Sequence, residues 1–235
     1  MHLISDTMNT TRHSSSAATI CQRAFTLLEV LVTIAIIAAL AALLLPVLGR
    51  MRERGEQTSG LSNMRQIGAA FHLYAGEHEM ELPTPTERMT IKDRWPKLLA
   101  NYLQDVKVYA APGIQDNFIV RKTDPLSNTG NNTNYIMNGF NDLVSFESSD
   151  VQIRIVSIES PSTTLLLGMQ KPGSHHYFMD YAEPPHGNQK DLLELKAYRD
   201  GSNYLFADGS ARFIAEKDYR DELWLADKTL VLPNL

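Results

Sequence analysis

Residues 24–49 read AFTLLEVLVTIAIIAALAALLLPVLG, and the fold follows from how this stretch is understood. From residue 30 to residue 48 there is no charge over 19 positions. At about 1.5 Å per residue, a helix of that length reaches roughly 28 Å, close to the hydrocarbon thickness of a bilayer. A membrane helix is therefore expected. One acid, Glu29, stands just inside the greasy stretch. A charged group at mid-bilayer costs roughly 2.5–3.5 kcal/mol, so a carboxylate placed here calls for a function.

The run differs from a secretory signal, whose apolar core of about 7–15 residues ends at a small-residue cleavage site. Here the core is longer and continues into Pro46 and then Arg50, Arg52 and Arg54. Removal after the apolar core is not expected. Residues 1–24 are polar, rich in Ser and Thr, carry Arg12 and Arg23, and lack an apolar period; they read as a disposable leader. The one cysteine, Cys21, falls in that leader, so the mature chain is expected to hold no thiol, disulfide or cysteine metal site. A net charge of -5 with scattered Lys and Arg offers no basic face, which argues against nucleic acid as a partner.

The stretch Ala24-Phe25-Thr26-Leu27-Leu28-Glu29, with the apolar run behind it, resembles the processing site of type IV pilins and type II secretion pseudopilins. That resemblance implies cleavage between Ala24 and Phe25 by a prepilin peptidase on the cytoplasmic side, followed by N-methylation of Phe25. Glu29 then becomes the fifth mature residue and Pro46 the twenty-second, positions where these families often carry Glu and Pro. The families usually place Gly before the cut; Ala24 is the next smallest side chain, and slower cleavage is expected. The arginines oppose this topology, since Arg12 and Arg23 face Arg50, Arg52 and Arg54, the latter partly offset by Glu53 and Glu56. The motif is given precedence over that rule.

The same resemblance implies other pilin or pseudopilin subunits, an inner-membrane assembly platform and membrane lipid as partners. It also implies a single-pass inner-membrane protein with a periplasmic head, which becomes a filament subunit after assembly. In a helical stack the new amino group of Phe25 can lie against Glu29 of a neighbour. Opposite charges attract strongly in a low dielectric, and leaving either unpaired in lipid is costly. The plain alternative is a Glu29 that sits at headgroup level and has no role.

Beyond Pro46, Leu61, Met64, Ile67, Phe71 and Tyr74 recur at spacings of three and four, one apolar helical face. The chain is thus expected to divide into a leader (1–24), a membrane or filament-core helix (25–49), an amphipathic helical half (50–78) and a head (79–235). A kink or loosening is expected near Pro46 and Gly49. Gly55 and Gly60 each weaken the helix by roughly 1 kcal/mol, so local melting is expected there.

Several further stretches resemble a large pseudopilin-like family with a prepilin N-terminus and a C-terminal Asp-Gly hairpin. They are Asn63-Met64-Arg65-Gln66-Ile67-Gly68, Arg94-Trp95-Pro96-Lys97-Leu98-Leu99, Asn134-Tyr135-Ile136-Met137-Asn138 and Asn203-Tyr204-Leu205-Phe206-Ala207-Asp208-Gly209. Where some members have Cys before the Pro-containing loop, this chain has Ala111-Pro112; where many have His, it has Tyr198.

Residues 203–207 and 210–215 are β-prone runs joined by Asp208-Gly209, a pair suited to a type I′ turn. A two-residue loop would set Phe206 against Ala211 and Tyr204 against Phe213, making one apolar side to lie on the long helix. Residues 151–159 and 163–169 supply two more strand candidates, with Pro161-Ser162 as the turn between them. A small antiparallel sheet wrapped on one helix, an α+β fold, is expected. Residues 113–141, with their Gly/Asn cluster, read as a polar surface loop.

Catalytic chemistry is not expected. His175, His176, Asp180 and His186 make the best metal constellation, but adjacent histidines point different ways and no chelating spacing appears. No phosphate-cradling glycine motif is present. No cofactor is expected; calcium in the head, near Asp200, Asn203 and Asp208, is a lesser reading by likeness to related pseudopilins, because a turn accounts for Asp208. Trp95, Tyr102 and Tyr109 read as core in preference to a sugar-stacking surface. The rival function is a singly anchored envelope protein whose head binds or modifies a ligand.

Overall fold

A computed structural model describes residues 26–83, 94–114, 133–140, 153–174, 178–179 and 192–225. The chain divides into two compact units, with the boundary between Val47 and Leu48. Helix α1 (Leu27–Glu77) contains Pro46 and is unbroken through Gly55 and Gly60, so the expected local melting is not seen. Residues 26–47 are exposed throughout, as an apolar helix without a covering layer must be.

The second unit is built on one face of α1. Met64, Ile67 and Phe71 are completely buried, and Leu61 and Tyr74 pack beside them, so the periodic stripe is the seam of the core. Helix α2 (Trp95–Leu99) brings Trp95 onto Phe71, ring centroids 5.7 Å apart, with Tyr109 edge-on to the indole at 5.5 Å. Trp95 and Tyr109 are therefore core residues. Tyr102 is half-buried, its hydroxyl donating to Glu77 Oε2 at 2.6 Å.

A five-stranded sheet completes the α+β fold: β1 (Tyr135–Asn138), β2 (Leu165–Met169), β3 (Phe178–Met179), β4 (Gly201–Phe206) and β5 (Ala211–Ala215), in the order β3-β1-β2-β4-β5. The sheet is mixed rather than wholly antiparallel, because the short edge strand β3 runs parallel to β1. The other three pairings are antiparallel.

Both faces of the sheet are covered. One packs on α1 through residues such as Leu167 and Leu205. The other, with Ile136, Tyr204 and Phe206, packs under Tyr219 and Trp224 of the segment that follows β5. Gly168 makes room for the indole, since a Cβ there would stand 2.9 Å from Trp224 Cζ2. The expected hairpin with one apolar side is thus corrected, and β4 is buried at every position.

Its register is corrected too. Leu205 pairs with Ala211, Tyr204 with Arg212 and Asn203 with Phe213. Gly209 N–H donates to Phe206 O at 2.9 Å, and Gly209 alone in the turn has positive φ, 82°. A type I′ turn needs positive φ at two central residues; here a turn centred on Ala207-Asp208 and closed by left-handed Gly209 makes a three-residue loop. The turn is held from outside, with Ala207 N–H donating to Thr164 O (2.9 Å) and Asp208 N–H to Pro161 O (3.1 Å). One extra loop residue shifts every cross-strand pair by one.

Of the two other strand candidates, 163–169 becomes β2. Residues 151–159 do not form a strand over their described part: Arg154 bridges Glu81, and Ile155–Ser157 is a 3₁₀ turn. The chain follows the exit of α1 there, with Leu82 N–H donating to Ile153 O and Ile155 N–H to Met80 O, both at 2.8 Å. The loop reading of 113–141 holds at Gly113, exposed in a turn, and at Ile114, half-buried beside it, and is corrected over 133–140, which is buried throughout.

Candidate functional site

The first turn of α1 is a closed polar device on an otherwise apolar helix. Thr26 N–H donates to Glu29 Oε2 at 2.9 Å, and Thr26 Oγ1 donates to the same oxygen at 3.0 Å. In return Glu29 N–H donates to Thr26 Oγ1 at 3.2 Å. This is a reciprocal capping box, Thr at the cap and Glu three residues on, which satisfies helix-end donors that have no partner within the helix. The carboxylate is thereby folded back toward the start of the helix. A Thr-x-x-Glu spacing before an apolar run was the available signal, and reading Glu29 by its charge alone passes over it.

Behind this turn the helix is exposed, with no other described residue packed against it. Leu27, Leu31, Ile34, Leu40, Leu44 and Leu45 are each more than half exposed. A helix that is apolar all round is stable when lipid or other helices surround it. Among the described residues α1 is the one helix long and apolar enough to cross a membrane.

In the second unit the hairpin β4–β5 docks on α1 where the helix carries glycine. A Cβ on Gly60 would lie 2.6 Å from the Tyr198 hydroxyl and 2.9 Å from Asn203 Nδ2; one on Gly68 would lie 2.8 Å from Leu205 Cδ1 and 3.2 Å from Gly209 O. Asn203 donates from Nδ2 to Gln57 O at 2.8 Å, and Tyr198 donates from its hydroxyl to Pro112 O at 3.1 Å. Burial, with Glu56 nearby, pushes the Tyr198 hydroxyl up to about 12. Tyr198 is thus a packing residue of the hairpin seam.

The other sequence-derived candidates separate. Ala24 and Phe25, the residues of the expected cut, lie outside the described residues, as do Cys21, His175, His176, Asp180 and His186. Asn203 and Asp208 are not brought together: Asn203 faces the helix, while Asp208 Oδ1 accepts from Ser210 N–H (2.9 Å) and Ser210 Oγ (2.6 Å). Among the described residues no three His, Cys, Asp or Glu side chains are grouped to hold a metal ion.

Comparison with known proteins places one motif on this geometry. Residues 20–45 match the family model described as the prokaryotic N-terminal methylation motif, which spans the expected cut, the capping box and most of the apolar run. No curated protein and no solved structure matches the chain.

Proposed function

We propose that this chain, which carries a prepilin-type methylation motif at residues 20–45 and is type IV pilin-like or pseudopilin-like in its N-terminal segment, is a structural subunit of a type II secretion pseudopilus or related pilus filament. The observation that carries the reading is the coincidence of that motif with a fully exposed apolar helix that begins in the Thr26–Glu29 box. A prepilin peptidase cuts between Ala24 and Phe25 and methylates Phe25. The chain waits in the inner membrane with its head in the periplasm, and an assembly platform moves it into a filament whose core is the same helix. Its work is cohesive rather than catalytic.

Glu29 supplies the register. In the single chain its carboxylate is held by Thr26, one residue from the new terminus. In the filament a neighbour's Phe25 ammonium replaces those neutral donors with a charge-assisted bond, the stronger kind. Mass spectrometry of the mature N-terminus tests processing: N-methyl-Phe25 is expected, whereas a working chain that begins at Met1 overturns it and leaves a singly anchored envelope protein with a ligand-binding head. Glu29→Ala is expected to insert in membranes as wild type does and to yield fewer filaments in a pelleting assay. Unchanged pelleting would remove the role given to that carboxylate.

A further inference from the structure

One groove in the head is lined by charge. Arg50, Glu53 and Arg54 of α1 form one wall, and Tyr198, Arg199 and Asp200 of the turn before β4 form another. It encloses about 220 Å³. Drug-sized ligand pockets run to roughly 300–1,000 Å³, so this groove suits one small polar group.

The arginines here have no partners among the described residues. Arg52, which does not line the groove, pairs with Glu56 at 2.9 Å. Arg50, Arg54 and Arg199 make neither ion pair nor side-chain hydrogen bond there. Arg199 also occupies a left-handed position, φ 42°, as the first central residue of the tight turn Tyr198–Gly201, where glycine is the easier residue. Three guanidiniums against Glu53 and Asp200 leave 3 − 2 = +1, the complement of a single negative charge.

The depth of the groove says where that charge comes from. Arg50 lies two residues, and Arg54 six, beyond Leu48, the last residue of the uncharged run. At about 1.5 Å per residue these are roughly 3 and 9 Å past the hydrocarbon edge. A headgroup layer occupies about 5–8 Å on each side of the bilayer core, so the Arg50 backbone lies within it and the Arg54 backbone just beyond its outer edge, within the reach of a long side chain. Guanidinium is the side chain whose planar fork matches phosphate oxygens.

We propose that this groove binds the phosphodiester of an anionic membrane lipid, through Arg50, Arg54 and Arg199, from the leaflet into which the apolar run emerges. The inference rests on reading residues 26–48 as a membrane anchor.

The test uses the full chain reconstituted in vesicles of phosphatidylcholine with and without phosphatidylglycerol. Flotation scores insertion, and native mass spectrometry after detergent extraction scores retained lipid. Wild type is expected to float with both compositions and to retain phosphatidylglycerol preferentially. Each Arg→Gln change at 50, 54 or 199 is expected to lower that preference by about fivefold, the worth of one cation near an anionic surface. R52Q is expected to leave it unchanged.

E53Q is expected to raise the preference by a similar factor, a gain that misfolding cannot produce. Equal flotation with no lipid preference, or a preference that survives R50Q/R54Q/R199Q, overturns the groove while leaving the anchor intact. A chain that floats with neither composition overturns both. Displacement of the lipid by millimolar inorganic phosphate would reassign the site to soluble anions and end the lipid proposal.

Discussion

Tyr198 lies directly against the backbone of Gly60: a Cβ at Gly60 would stand 2.6 Å from the tyrosine hydroxyl, which is itself tied to Pro112 O at 3.1 Å. A glycine that looks like a weak point of a helix is therefore a place where Tyr198 and Asn203 close on its backbone. Alanine is normally better than glycine in a helix by about 1 kcal/mol. Here the added methyl overpacks a buried, hydrogen-bonded tyrosine, at about 1–3 kcal/mol. Gly60→Ala is expected to lower the melting temperature of the full chain in detergent, whereas Gly55→Ala, with nothing within 4 Å of its Cβ, is expected to raise it. Equal shifts at the two positions would disprove the close approach.

Asn138 joins three pieces of the head. Its Nδ2 donates to Leu165 O at 2.8 Å and to Trp224 O at 2.7 Å, and its Oδ1 accepts from Phe140 N–H at 2.8 Å. Asn138→Leu keeps the branched outline, adds the bulk of about two methyl groups at a buried position and removes all of these bonds, leaving buried backbone groups unsatisfied at about 1–3 kcal/mol each. A loss on the order of 3 kcal/mol is expected in denaturant unfolding, with earlier exposure of Trp224 by fluorescence.

The exit of α1 holds two successive left-handed residues that are not glycine, Glu79 (φ 54°) and Met80 (φ 67°). Met80 N–H donates to Ala75 O at 2.8 Å, the six-to-one bond of a Schellman ending, which puts Glu79 at the position where glycine is favoured. Glu79→Gly is expected to stabilise the head by about 1 kcal/mol in thermal unfolding. A loss of stability would show that the Glu79 side chain carries a contact worth more than the strain.

Alkali should unfold this protein through its tyrosines. The hydroxyls of Tyr109, Tyr135 and Tyr204 are pushed above the ordinary 10.0 chiefly by burial. Tyr102 is raised to about 12 first by the bond it donates to Glu77, and Tyr198 to about 12 by burial first. In each case the folded state holds its proton more tightly than the unfolded chain. The stabilisation is complete below pH 10.0 and is lost as pH climbs toward about 12. Tyrosinate absorbance and loss of near-ultraviolet circular dichroism are expected to rise together above pH 10; tyrosinate formation at ordinary pH with the fold intact would contradict the burial described.

The core face of α1 was legible because helical periodicity is local, and Leu61, Met64, Ile67, Phe71 and Tyr74 announce it at spacings of three and four. The motif Asn134-Tyr135-Ile136-Met137-Asn138 was visible by resemblance, but its reason was not. Asn134 Oδ1 accepts from Ala111 N–H at 2.8 Å, so an asparagine fastens each end of β1, and those partners are 23 or more residues distant in sequence. The hairpin register was misjudged because Asp-Gly admits more than one loop length. Anchors outside the hairpin, Thr164 O and Pro161 O, made the choice.

Sequence by itself determined the long apolar helix, the helix stripe, the absence of a thiol after residue 24 and the α+β class, since each depends on composition or on spacing within a few turns of chain. Tertiary structure alone decided which glycines are close-packed, which face of β4 is buried and which arginines share a groove. Those properties belong to pairs of residues that the chain separates by between 15 positions, as for Tyr204 and Tyr219, and more than a hundred, as for Gly60 and Tyr198, and a one-dimensional pattern carries no distance between them.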